Sequence, residues 1–305
     1  MTSLHFTIDD IPDLHGKRVI ISGASAGIGL AAAEIFATKG AWVLNLDLNP
    51  PEKESQAPKN GTIEYRRCDV SSWEQLTAAF QYAGNIDIAV ANAGICEETN
   101  YFEDTFDSVT GNLIEPEYRV LDINIRAVCN FTKLALSHFR KHPERAGSIV
   151  INSSATAYAP EQSLPVFSAS KLALIGLVRA LRSSLSCENI TINCVAPAAT
   201  ITSLLPAHLA KPIIEAGLPV SSASFVGLAI VFSAVASQRG AVELYGKDHE
   251  DRLSMKSRWH GRTIVTMGET YTEVEGPIAE LRPQWFGEEN ARLTRLQQSA
   301  TDFRK

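Results

Sequence analysis

The chain has 305 residues, 45% of them apolar and 20% charged, with a net charge of −6, a make-up that fits a soluble globular protein and excludes a disordered or fibrous one. The negative balance offers no attraction to phosphate backbones or anionic lipid, so neither nucleic acid nor a membrane is an expected partner. A polar start, an apolar run at 225–236 too short for a bilayer, and five cysteines without CxxC spacing lead us to expect a cytoplasmic protein with reduced thiols.

In chain order, an apolar run at 18–22 predicts the first strand. It leads into Gly23-Ala24-Ser25-Ala26-Gly27-Ile28-Gly29 and then a helix at 28–39. Three glycines between a strand and a helix suit a bound pyrophosphate. Gly23 supplies the tight turn, Gly27 admits close approach, Gly29 lets the helix lie on the sheet, and the helix N-terminus presents unpaired N–H groups. Ser25 and Ile28 belong to the same loop. The next strand, 41–46, runs into Asp47, 24 residues after Gly23. A carboxylate there accepts from ribose hydroxyls and repels a 2′-phosphate, and no Arg or Lys stands in 24–28 to offset it. The expected cofactor is therefore NAD rather than NADP. A strand at 62–67 follows, then Asp69 and Val70, placed to meet the adenine amino group and ring.

A helix at 72–82 and a strand at 86–91 lead to Asn92-Ala93-Gly94. The stretch 96–117 interrupts the pattern. A helix at 118–141 contains Asn124, a strand at 148–152 ends at Ser153-Ser154, and a helix at 167–186 opens with Phe167-Ser168-Ala169-Ser170-Lys171. Strand 191–195 precedes Pro197, Thr200 and Thr202. The segment 203–220 is rich in Leu and Ile. A helix at 222–235, an interruption at 238–261 and a strand at 262–266 follow, and a tail rich in Glu, Pro and Gln ends in a helix at 288–301. The early strands are continuous apolar runs, as strands buried on both faces require. Their alternation with helices predicts an α/β fold, a doubly wound parallel sheet of about seven strands.

The Gly-x-x-x-Gly-x-Gly spacing, Asn92-Ala93-Gly94, Asn124, Ser154, Lys171 and the Pro197–Thr202 stretch together resemble the short-chain dehydrogenase/reductase family. The likeness covers residues 15 to 268 and is nearest in flavour to its NAD-dependent 15-hydroxyprostaglandin-dehydrogenase-like branch. It implies a Rossmann-type domain over residues 1–268, a C-terminal extension over 269–305, and a homodimer or homotetramer. Cofactor contacts are implied at Gly23, Ser25, Gly27, Ile28, Gly29, Asp47, Asp69, Val70, Asn92, Ala93, Gly94, Lys171, Pro197, Thr200 and Thr202. Catalytic positions are implied at Asn124, Ser154, Phe167 and Lys171, with no metal.

The family's proton-transfer residue is a Tyr, thirteen residues after the Ser and four before the Lys. Position 167 holds Phe. A phenyl ring fills that space but has no proton to give, a loss expected to be worth about 10²–10⁴-fold in rate. Three readings stay open: an engineered Tyr-to-Phe knock-out, a natural non-redox isomerase, cyclase or lyase, and a silent NAD-binding scaffold. Tyr158 is a candidate substitute phenol, with a place in the substrate-pocket wall as the expected alternative. His138 and His142, spaced i, i+4, read as helix-terminal cations rather than metal ligands. Cys96 reads as a buried thiol. The apolar 203–220 segment is expected to form a lid over an apolar substrate, such as a secondary metabolite.

Overall fold

The computed structural model describes residues 2–51 and 60–304. β1 (Ser3–Leu4) precedes β2 (Arg18–Ser22), α1 (Gly27–Thr38), β3 (Trp42–Asp47), β4 (Thr62–Arg67), α2 (Trp73–Ala83) and β5 (Ile88–Ala91). After a long loop, α3 (Arg119–Leu121), a π-helical turn (Asp122–Ala127) and α4 (Val128–Arg140) run on without a break. β6 (Gly147–Asn152), α5 (Pro165–Leu185), β7 (Ile190–Pro197), α6 (Ala207–Glu215) and α7 (Ala223–Val235) continue the alternation. The chain closes with β8 (Ser237–Arg239), β9 (Lys256–Arg258), β10 (Thr263–Met267), β11 (Thr270–Glu273), α8 (Glu275–Glu280), α9 (Arg282–Phe286) and α10 (Glu288–Ala300).

One nine-stranded sheet runs β1-β11-β10-β7-β6-β5-β2-β3-β4. The seven strands from β10 to β4 pair in parallel, as expected, and β11 and β1 add an antiparallel edge. Val19, Ile20 and Ile21 of β2 have no exposed surface, because helices cover both faces. One layer carries α1 and α7, whose buried side chains join Val19, Ile21 and Val43. Against the opposite face lie α2, α4 and α5, packed on Ile20, Leu44 and Ile149. Gly227 allows the first layer to close: a Cβ there would lie 2.8 Å from the Ala32 amide nitrogen.

Several elements depart from expectation. The helix expected at 118–141 contains the π-helical turn centred on Asn124. α5 begins two residues early, at Pro165 in its first turn, where proline's missing N–H costs no helical bond. The interruption at 238–261 contains a small ribbon, β8 paired with β9; its polar sequence shows no alternation to reveal it. The expected extension starts inside the β10–β11 hairpin, at Glu269 beside Gly268 (φ +56°), so 270–273 complete the main sheet. No helix among the described residues is long and apolar enough to cross a membrane.

Candidate functional site

The sheet order reverses between β2 and β5, whose neighbours lead in opposite directions. The crevice at such a reversal, beyond the C-terminal strand ends, is where open α/β sheets bind ligands. The glycine loop lies there. Gly23 has φ +68°, and a Cβ on it would sit 2.9 Å from Ala93 Cα. A Cβ on Gly29 would overlap the Gly23 carbonyl and approach Asn92 Nδ2 to 2.5 Å. Gly27 has φ +53°, with Thr202 Cγ2 3.1 Å from the missing Cβ. Ala26, the N-cap of α1, offers no side-chain cap, so the helix's first N–H groups are left for a ligand. This cradle, closed to any side chain and lined with unpaired donors, fits a dinucleotide pyrophosphate.

Asn92 stabilises the turn rather than presenting its amide to a ligand. Its Nδ2 donates to the Ser22 and Gly23 carbonyls at 3.1 and 2.8 Å, and its Oδ1 accepts from Asn152 Nδ2 at 2.9 Å. Ser22 Oγ accepts from both Asn92 N and Ala93 N. Sequence reasoning passed over Ser22 and Asn152, although both stand at strand ends beside quoted motifs.

At the end of β3, Asp47 accepts from Ser25 N at 3.1 Å and Asn49 N at 3.2 Å, which holds its carboxylate across the glycine loop. The Ser25 hydroxyl is committed within the protein, donating to Asn49 O at 2.6 Å and accepting from Asn45 Nδ2 at 3.0 Å. Asp69 caps its own turn, accepting from Ser71 N and Oγ. Val70 and Ala93 line a small recess with Ser22. Arg67, also passed over, is the register partner of Asp47 on β4; only strand pairing reveals that neighbour.

The other end of the crevice is built on α5. Lys171 is buried, and its Nζ donates to Asn152 O at 3.1 Å. Burial lowers its pKa to about 8. Gly94 makes room for it: a Cβ there would stand 3.3 Å from Lys171 Nζ and 3.2 Å from Asn124 Oδ1. Asn124 accepts from Ile95 N at 3.0 Å and donates to Ile95 O at 2.9 Å and Ser170 Oγ at 3.1 Å. The π turn re-aims this one residue while the helix continues, a common use of such turns. Ser154 donates to Pro197 O at 3.3 Å and accepts from Thr156 N at 3.1 Å. Thr200 donates to Ala198 O, and Thr202 accepts from Leu204 N and Leu205 N, so these two hydroxyls order the turn after β7.

Phe167 lies one turn before Lys171, with Nζ 5.4 Å from its ring centroid. Its ring forms a small cluster with Val120 and Val166, against which Ile95, Cys96, Tyr101 and Leu164 pack. Glu97 holds this end of α5 by accepting from Val166 N at 3.2 Å and Phe167 N at 2.8 Å. An acidic side chain at a helix N-terminus is favourable on dipole grounds. No local pattern announces Glu97, because its partner lies on the far side of the loop and of α4.

Tyr158 is neither a substitute phenol nor free to wall the pocket by its hydroxyl, because that hydroxyl donates to buried Glu275 at 2.9 Å. Burial and the Glu275 charge push its pKa far above the usual tyrosine range. Glu275 also receives Arg179 at 2.8 Å and Arg182 at 3.2 Å. Cys96 is half-buried, and burial pushes its thiol up. His138 Nδ1 meets Gly84 O at 3.2 Å, and no cluster of metal ligands occurs among the described residues. On α6 only Ala210 is buried, while Leu204, Leu209, Ile214 and Leu218 are exposed around it. A cavity of about 350 Å³ opens beside Ile95, Cys96 and Tyr101 and is walled by the 98–119 segment. A larger one, about 690 Å³, lies between Ala241, Arg262, Arg282 and Arg295 and shares no residue with the Lys171 end of the crevice.

The family model described as short chain dehydrogenase matches residues 17–211. The chain is 56% identical, over all of its length and 90% of the relative, to the short-chain dehydrogenase/reductase prx4 of Penicillium roqueforti. It is 46% identical, over all of its length and 95% of the relative, to the short-chain dehydrogenase/reductase ATR7 of Stachybotrys chlorohalonatus. Among solved structures, 3-ketoacyl-(acyl-carrier-protein) reductase from Brucella melitensis, complexed with NADH, superposes with a TM-score of 0.65 at 23% identity, covering 84% of this chain and 98% of that one. Carveol dehydrogenase from Mycobacterium avium, in complex with NAD, gives 0.61 at 25% identity, covering 73% and 92%.

Proposed function

The chain belongs to the short-chain dehydrogenase family, and we propose that it binds NAD in preference to NADP and serves hydride transfer at a bulky, apolar secondary alcohol or ketone. The finer placement we propose is the 15-hydroxyprostaglandin-dehydrogenase-like branch, in secondary metabolism. The observation that carries this reading is the pairing of a side-chain-free glycine cradle with a buried Lys171 held on Asn152 O at the other end of the same crevice. Bound NAD supplies an acceptor or donor of hydride at its nicotinamide ring. The chain's own groups do the rest. The Gly23–Gly29 backbone and the α1 N-terminus hold the pyrophosphate, Asp47 accepts from the adenosine ribose, and Asp69 and Val70 receive the adenine. Lys171 places a positive charge beside the reacting oxygen, the Ser154 hydroxyl turns from Pro197 O to donate to that oxygen, and Asn124 pins the Gly94–Ile95 backbone by its bonds to Ile95 N and O. The exposed apolar side chains of α6 close over the substrate.

Phe167 favours a second reading. Its ring has no exchangeable proton, so the same crevice would serve an isomerisation, cyclisation or elimination, with Ser154 and Lys171 as hydrogen-bond donor and electrostatic stabiliser; a silent NAD-binding scaffold is the limiting case. We also propose a homodimer or homotetramer joined through the outward face of α5, where Ala169, Leu172, Ala173, Gly176 and Ala180 are exposed and carry no charge.

Titration with NADH and NADPH, followed by nucleotide fluorescence, tests the cofactor reading. NADH is expected to bind at least about tenfold more tightly, a difference of about 1.4 kcal/mol, and Asp47→Ser is expected to close most of that gap. Equal or tighter NADPH binding by the parent protein would make Arg67, not Asp47, the deciding neighbour and sink the assignment.

A further inference from the structure

We propose that Tyr101, from the segment between β5 and α3, supplies the phenol that position 167 lacks. This rests on the hydride-transfer reading above. Of the chain's seven tyrosines, four have their hydroxyls committed elsewhere: Tyr65 to Leu48 O, Tyr82 to Glu64, Tyr158 to Glu275 and Tyr271 to Phe225 O. Tyr245 lies under the Arg304 guanidinium, near the C-terminus. That leaves Tyr118 and Tyr101, which meet edge to face with centroids 5.3 Å apart. Only Tyr101 packs against the Phe167 cluster. It also lines the 350 Å³ cavity together with Ile95 and Cys96. Its hydroxyl makes no hydrogen bond among the described residues, although the ring is half-buried. A phenol in that state is available to a ligand.

The chemistry closes without a further reactant. In ketone reduction, bound NADH would supply the hydride that goes to the carbonyl carbon and would be left as NAD⁺, while the Tyr101 O–H bond breaks and its proton passes to the carbonyl oxygen. The phenolate then takes a proton from water. Alcohol oxidation runs the same steps in reverse.

Charge near Tyr101 sets what the test must read. Glu98, Glu103, Glu115 and Glu117 line the cavity together with the cation Arg119. Glu97 is bound to the α5 N–H groups. The signal is the change on nucleotide binding, not the value in the free protein.

The experiment is tyrosinate absorption against pH, with and without saturating NAD⁺, on the full-length protein and its Tyr101→Phe and Tyr118→Phe variants. Saturation is set by competition against NADH fluorescence. In the parent, NAD⁺ is expected to move one tyrosine's ionisation down by about one pH unit or more, roughly a tenfold effect. The shift should vanish in Tyr101→Phe and persist in Tyr118→Phe. Tyr101→Phe removes only an oxygen without a protein partner, so its fold and NADH affinity should match the parent's. A shift that persists in Tyr101→Phe, or no shift in the saturated parent, overturns the proposal. Failure of the parent to bind NADH at all overturns the nucleotide reading, and the proposal with it.

Discussion

Replacing Gly29 with Ala tests whether backbone contact shapes the nucleotide cradle. The new Cβ would overlap the Gly23 carbonyl oxygen and lie 2.5 Å from Asn92 Nδ2. Neither can yield cheaply, since Gly23 is held by its N–H to Leu46 O at 2.7 Å and Asn92 by three hydrogen bonds. The loop must therefore move by about 1 Å, a displacement in the range where overpacking costs about 1–3 kcal/mol. The same displacement misaligns the α1 N–H groups. Losing one or two hydrogen bonds to a charged phosphate costs about 1.5–3 kcal/mol each, which is roughly 10–10³-fold or more in affinity at 1.4 kcal/mol per decade. Chemical denaturation and NADH titration give both quantities. If Gly29→Ala unfolds at the parent midpoint and binds NADH equally well, the steric account of the cradle is wrong.

Two further outcomes follow from buried charge. Glu275→Ala leaves Arg179 and Arg182 without their shared carboxylate, and the expected loss is about 3–5 kcal/mol, read as a lower denaturation midpoint; a change under about 1 kcal/mol would mean the cluster is not a closed network. His260 accepts from Ile192 N and meets Arg182 O, and burial lowers its pKa to about 4. The unfolded chain then binds the proton more readily between the ordinary value, about 6.5, and about 4. Stability is full above that window and falls by up to about 3 kcal/mol as pH drops through it. His260→Asn should flatten this dependence, and identical pH profiles for the two proteins would refute the assignment.

What the sequence alone determined is the set of features that are local along the chain. The glycine loop needs only a strand, three glycines at fixed spacing and a helix, all within 18–38. Asn92-Ala93-Gly94, Ser153-Ser154 and the one-turn spacing of Phe167 and Lys171 are equally short-ranged, and short β-branched runs alternating with helical patterns sufficed for seven parallel strands. The tertiary structure alone decided the partners. Glu97 meets Phe167 across 70 residues and Tyr158 meets Glu275 across 117. Asn124 is aimed by a π turn made within a helix whose apolar pattern looks continuous. Tyr101 reaches the Phe167 cluster from a segment with no periodicity of its own. Periodicity reports which face of an element is buried, not which distant group will face it. A hydrogen bond or ring contact across 70 residues depends on how strands are ordered in the sheet, and that order appears only once helices close on both its faces.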